Sequence, residues 1–324
     1  MKTDTAQKIL DFITKNGQAS GSELTDVLGI SDRAVRKQLS TLLGSHKIAK
    51  IGKPPKVFYL INKTTTKTEY EINDKIRKNI NERFLIITPA GEKKEGIEGF
   101  VYWCEKNKLP IEKTATEYIK TLQKYDSFKK NGFINGMNKM KNTFPEVYSD
   151  EIFYLDFYSI ERFGKTKLGQ LLLYAKQSQN LNLMKEIIQI IKPQVDELVA
   201  KYKIDGIGFI PPTVKRERQL MRVLEKGLHE NLRKISIVKI KTEVAVPQKT
   251  LNKLEDRIEN AKNTLVVNEK STFQNILLID DAVGSGSTLN ETAKKIKEKN
   301  ICKGKIIGLA ITGSFKGFDV ISEV

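Results

Sequence analysis

Cysteine is almost missing from this chain. Cys104 and Cys302 stand alone in 324 residues, and the only imidazoles are His46 and His229. Thiols and imidazoles this few and this scattered argue against a disulfide framework and against a zinc site. Long apolar runs are missing too. None approaches the roughly 18 residues of a membrane span, and the opening residues MKTDTAQK lack the apolar segment of a signal peptide. The expectation is a cytoplasmic protein with no membrane partner. Acidic residues are in short supply: 39 Asp and Glu face 56 Lys and Arg, a formal charge of +17. Such an excess points to polyanions such as nucleic acid. The length allows two domains or three small ones, and a hydrophobic fraction of 39% builds ordinary cores.

The stretch that organises the rest is ILLIDDAVGSGSTL, from Ile276 to Leu289. Ile276, Leu277, Leu278 and Ile279 are apolar without alternation, which predicts a strand covered on both faces in a parallel sheet. In open α/β sheets the ligand crevice lies beyond the carboxyl ends of the strands, so Asp280 and Asp281 are delivered to its edge. There they are expected as exposed acceptors for sugar hydroxyls. After Ala282 and Val283, the small residues Gly284, Ser285, Gly286, Ser287 and Thr288 let backbone approach an anion, and the helix that follows turns free N–H groups toward it. Thr288 and Glu291 fit a capping box. GSGST has no P-loop lysine, and Leu289 stands where a dinucleotide fingerprint has glycine or alanine.

Four apolar residues, two acids and a small hydroxyl-rich loop, in that order, resemble the ribosyl-diphosphate signature of type I phosphoribosyltransferases. The resemblance implies that Asp280 and Asp281 hold the ribose hydroxyls and that Gly284 to Thr288, with Ala282 and Val283 leading in, wrap the 5-phosphate. It also implies Mg2+ arriving with phosphoribosyl diphosphate, and no metal site of the protein's own.

Residues 1–68 carry 12 Lys and Arg against 5 Asp and Glu, a net of +7 on about a fifth of the chain. Ala6, Ile9, Leu10 and Ile13 fall at helical spacing, predicting a helix over Thr5 to Asn16 that Gly17 stops. Ser20 and Glu23 make a capping box for a second helix ending at Leu28. Gly29, Ile30 and Ser31 form a short turn, and Ser31 caps a third helix whose stripe is Val35, Leu39 and Leu42. That stripe leaves Arg33, Arg36, Lys37 and Ser40 together on the outer face. Two strands, Lys47 to Gly52 and Lys56 to Leu60, meet at a basic tip around Lys53, Pro54, Pro55 and Lys56. The arrangement resembles a winged helix-turn-helix domain, and it implies double-stranded DNA as partner and a homodimer on paired half-sites. The plainer alternative is a protein-docking module with a solvated charged face.

Residues 62–67 read as a linker, and 69–150 as a mostly helical connector with no assigned chemistry. It holds a strand near Phe84 to Thr88, helices at Gly99 to Lys106 and Thr114 to Tyr125, and a small aromatic core of Phe100, Tyr102, Trp103 and Tyr118. From 151 to 324 helix and strand alternate, as in an α/β domain. Leu171 to Lys176, then Ile207 to Pro212 running into Lys215, Arg216 and Arg218, then Gln248, Leu251, Arg257 and Asn260, are similar to the competence-type (ComF) phosphoribosyltransferases. That resemblance implies a mainly parallel sheet with helices on both faces. It places a diphosphate-binding loop at Lys215 and Arg216. The zinc-ribbon cysteines of that family are absent, and its loop threonine and arginines read Ala245, Lys241 and Glu243. Residues 313–324 either close a sheet edge or form part of a hood over an acceptor base. The expected function is a DNA-binding regulator with phosphoribosyl diphosphate or a nucleotide as effector; the alternative is an active phosphoribosyltransferase with an unknown base, nucleotide or nucleic-acid acceptor, including an effector enzyme controlled by its winged-helix end.

Overall fold

In the computed structural model the described residues are 5–62, 70–229, 231–240, 243–244 and 246–314. They fall into two compact units, Met1–Glu71 and Ile72–Val324. The expected linker beyond Asn62, residues Lys241 and Ala245, and residues 315–324 lie outside the described set.

The first unit packs α1 (Thr5–Asn16), α2 (Gly21–Leu28) and α3 (Asp32–Gly44) with the short β1 (Ala19–Ser20) and the hairpin β2 (Ile48–Lys53) and β3 (Lys56–Ile61). The sheet is antiparallel in the order β1-β3-β2. Local chemistry sets its boundaries. The Ser20 hydroxyl accepts from the Glu23 N–H at 3.2 Å, and the Glu23 carboxylate accepts from the Ser20 N–H at 2.7 Å. These bonds hold the Glu23 carboxyl below its usual range. Gly29 ends α2 in the left-handed region at φ 61°, where a side chain would be strained. The core is Ile9, Ile13, Ala19, Leu24, Val35, Leu39, Leu42 and Ile48, largely the stripes of the three helices, although Val27, three residues after Leu24 and expected to face inward with it, is exposed.

The second unit opens with α4 (Asp74–Arg83), the hairpin β4 (Leu85–Ile87) and β5 (Lys93–Glu95), α5 (Gly96–Lys106) and α6 (Ile111–Asp126). Then come β6 (Lys129–Lys130), β7 (Phe133–Asn135), α7 (Met137–Thr143), β8 (Glu151–Phe157), β9 (Ser159–Ile160), β10 (Gly164–Lys165), α8 (Lys167–Ser178) and α9 (Leu181–Tyr202). The remainder is β11 (Gly206–Phe209), α10 (Leu220–Gly227), β12 (Arg233–Ile235), β13 (Ile237–Lys239), α11 (Leu254–Thr264), β14 (Leu265–Val267), β15 (Ile276–Val283), α12 (Ser287–Glu298) and β16 (Ile306–Gly313). The central sheet has the order β12-β11-β15-β16-β8-β7-β6. It is parallel from β12 to β8, with β7 and β6 antiparallel at one edge.

Apolar residues cover this sheet on both faces. Leu171 and Leu172 of α8, Met184 to Leu198 of α9 and Leu224 of α10 close on Ile207, Leu277 and Ile307 on one side. On the other, Met140 and Phe144 of α7 pack with Ile152 and with Leu254 and Ile258 of α11. The expected connector is therefore not a separate piece. Its β6 and β7 extend the central sheet, and Leu85 belongs to the main core. Its aromatic cluster forms through Phe84, Phe100, Trp103, Tyr118 and Phe163, with Phe84 and Phe100 edge to face at 5.2 Å.

Leu277 is fully buried in β15, between β11 and β16. Leu277→Ala should lower the stability of this unit by about 2–5 kcal/mol, read from urea unfolding followed by circular dichroism. A loss below about 1 kcal/mol would mean the strand is not where the core closes.

Candidate functional site

Strand β15 outruns its neighbour. β11 ends at Phe209, opposite Ile279, while β15 continues beside β16 to Val283. Asp280 and Asp281 thus project past the end of β11, at the carboxyl edge of the sheet. They enter a cleft of about 190 Å³. Its lining brings together Asp280 through Thr288, the loop from Ile210 to Val214 with Arg216, and Lys176, Lys239, Gln248 and Arg257 from four further segments.

The two carboxylates are not the exposed acceptors the sequence implies. The Lys176 ammonium lies 2.8 Å from Asp281 Oδ2, and the two side chains are only 11% and 17% exposed. Asp280 Oδ1 accepts from the Asp281 N–H at 2.8 Å. Burial, and behind it the Asp281 charge, push the Asp280 carboxyl up to about 8. Lys239, on β13, donates to the Thr213 hydroxyl at 2.6 Å. Burial lowers its pKa, and Asp280 partly opposes that.

The loop from Gly284 to Thr288 reaches α12 differently from expectation. Thr288 does not cap the helix. The cap is Gly286 at φ 86°, whose carbonyl accepts from the Asn290 N–H at 2.9 Å, so α12 starts at Ser287. Glycine is required there twice over. Its φ is left-handed, and a Cβ would sit 2.3 Å from the Met140 sulfur. The Ser285 and Ser287 hydroxyls are 3.0 Å apart, beside the first-turn N–H groups that a helix leaves without internal partners.

Of the two basic residues expected beside a diphosphate, Arg216 lines the cleft and Lys215 does not. Ala282, Val283, Gly284 and Ser285 line it too. Lys176, Gln248 and Arg257 stood in the sequence motifs without a role, and Lys239 gave no signal at all, being a lone lysine on a short strand. Among the described residues no group of three or more His, Cys, Asp or Glu could hold a metal ion.

In the first unit Arg33, Arg36, Lys37 and Ser40 are all exposed on α3, and Lys56 is exposed at the hairpin end. Lys53 pairs with Lys56 across the hairpin. Arg36 Nη2 lies 2.5 Å from Asp32 Oδ2, so one of these cations is partly spent on its own helix. No helix among the described residues is long and apolar enough to cross a membrane.

The Asp280 proton has a measurable consequence. The folded protein binds it more tightly than the unfolded chain, whose aspartates titrate near 3.8. Stability contributed by this group is therefore present at low pH and is lost as pH rises from about 4 to about 8. Asp280→Asn abolishes the titration. Between about pH 5 and about pH 8 the variant should gain at least about 1.4 kcal/mol relative to wild type in urea unfolding, the worth of one pKa unit. A difference flat in pH would put this carboxyl in water.

No protein-family model matches the chain, and no curated protein matches it. Among solved structures it is similar to a hypoxanthine phosphoribosyltransferase from Staphylococcus aureus, at 14% identity over 42% of this chain and 80% of that one, with a TM-score of 0.23. It is similar also to a hypoxanthine-guanine phosphoribosyltransferase from Bacillus anthracis, at 13% identity over 42% and 85%, with a TM-score of 0.24. Scores that low establish neither a shared fold nor a shared chemistry.

Proposed function

We propose that the cleft of the second unit binds phosphoribosyl diphosphate or a nucleotide, with Mg2+ carried by the ligand, and that occupancy controls the affinity of the first unit for double-stranded DNA. In this reading the second unit is a type I phosphoribosyltransferase-like domain of the competence type. The first is a winged helix-turn-helix, and the chain works as a homodimer. One observation carries the proposal: Asp280 and Asp281 share a cleft with the Gly284 to Thr288 loop, the start of α12 and the cations Lys176, Arg216 and Lys239. A sugar with several phosphates answers each of these, through its hydroxyls on the carboxylates and its anionic groups on the loop and the bases. The first unit supplies the exposed Arg33, Arg36 and Lys37 for the groove and backbone of a duplex.

If occupancy and DNA binding are coupled, each must change the other's affinity by the same factor. Magnesium phosphoribosyl diphosphate should shift the DNA affinity of the full chain by about 5- to 150-fold, and Asp280→Asn should remove the shift. Diphosphate release on the order of one per second with a nucleobase, nucleotide or nucleic-acid acceptor, and no shift in DNA affinity, would make the chain a transferase instead.

Replacing Arg33, Arg36 and Lys37 together with Ala should weaken DNA binding by more than about tenfold, and the salt dependence should flatten by about one unit for each lost phosphate contact. A wild-type chain that fails to retard its own promoter region at low salt would return the first unit to a protein-docking role.

A further inference from the structure

Among the described residues, one cation of the cleft is deeply buried and has no carboxylate beside it. Arg257 of α11 is 5% exposed. Its Nε donates to the Leu251 carbonyl at 2.8 Å, while Nη2 is buried without a partner. Among the described residues no carboxylate pairs with it, and burial lowers its pKa with no charged neighbour opposing. Gln248 is partly unsatisfied as well. Its Nε2 donates to the Arg257 carbonyl at 3.0 Å and to Asn260 Oδ1 at 3.3 Å, but its Oε1 is buried and unpartnered. Both side chains line the cleft.

Packing brings Arg257 to one end of that cleft. Helices α11 and α12 run side by side in the same direction. Near their far ends Lys295 of α12 donates to the Lys262 carbonyl at 2.5 Å, and Lys299 donates to the Val267 carbonyl at 2.7 Å. At their near ends Leu254 and Ile258 of α11 pack on Met140 and Phe144. Those are the residues a Cβ at Gly286 would meet. The unpaired guanidinium therefore lines the same cleft as the first turn of α12 and the Ser285 and Ser287 residues.

A structural arginine this deeply buried normally spends its donors on carbonyls or a carboxylate, because an unpaired buried charge is costly. Here the missing partner is an anion. It must offer several oxygens, since the start of a helix, two hydroxyl-bearing residues and a guanidinium line the one cleft. We infer that Arg257 grips a phosphate monoester, the terminal phosphate of a sugar phosphate, and thereby makes the cleft selective for 5-phosphorylated sugars. The inference rests on the sugar-phosphate reading of the cleft. It adds a specificity residue outside the Gly284 to Thr288 loop. Gln248 acts behind it, holding the backbone of α11 through the Arg257 carbonyl.

The test uses the full chain and calorimetry with three probes: ribose 5-phosphate, inorganic phosphate and magnesium diphosphate. Arg257→Gln should weaken ribose 5-phosphate by at least about tenfold, the loss of a charge-assisted bond, and magnesium diphosphate by less than about threefold. Arg257→Lys, which keeps the charge but not the fork, should fall between. Inorganic phosphate should bind at least about tenfold more weakly than ribose 5-phosphate. Since the arginine is uncompensated in the free protein, Arg257→Gln should leave its urea midpoint unchanged or raised. Equal losses for both ligands, unchanged ribose 5-phosphate affinity, or equal affinities for inorganic phosphate and ribose 5-phosphate would each overturn the assignment. So would an Arg257→Gln chain that no longer folds, because the arginine would then serve the empty protein. Wild type that binds none of the probes would sink the sugar-phosphate reading itself, and is recognisable as such because it needs no variant.

Discussion

Two carboxylates placed side by side at the end of a buried strand repel each other, and much of the second unit answers that repulsion. Asp281 is held by Lys176 from α8, while Asp280 retains its proton toward neutral pH because burial and its neighbour both oppose ionisation. Lys239 is pushed the other way by its own burial, so an acid and a base face each other with displaced affinities for the proton. Keeping such a cluster together takes a rigid frame. The parallel ladder from β11 through β15 to β16 supplies it, with the apolar residues of α8 and α9 packed beneath.

Much of this frame was legible from local pattern. The Ser20 and Glu23 box, the Gly29 stop and the Val35, Leu39, Leu42 stripe predicted the helices of the first unit nearly to the residue, because caps and periodicity are short-range effects. The buried run from Ile276 to Ile279 announced a central parallel strand for the same reason. The start of α12 was misjudged. Thr288 has the better capping side chain, but the close approach of Met140 requires glycine at 286, and that contact spans almost 150 residues of sequence. Long-range placement also hid Lys239 and the burial of Asp280, since nothing near either residue tells how much protein will cover it.

The segment after the first unit misled for a related reason. Short strands such as Lys129–Lys130 and Phe133–Asn135 carry too few residues to show alternation, so beyond the strand near Phe84 to Thr88 the stretch reads as mostly helical. Its place was decided by tertiary pairing. Phe133 of β7 meets Phe153 of β8 with ring centroids 5.6 Å apart, and β7 lies antiparallel to β8. Residues that seemed to connect two domains instead finish the edge of one.

The contact between Met140 and Gly286 has an evolutionary consequence. Position 286 cannot accept a side chain while a long thioether fills the space above it, and a shorter residue at 140 would still leave the left-handed backbone to accommodate. Position 286 is therefore held to glycine by its own backbone, and position 140 is limited in shape by that turn, although one precedes the parallel sheet and the other follows its central strand. Glycine at 286 should therefore outlast change at 140, whereas a branched or longer residue at 140 must still clear the turn that this glycine makes.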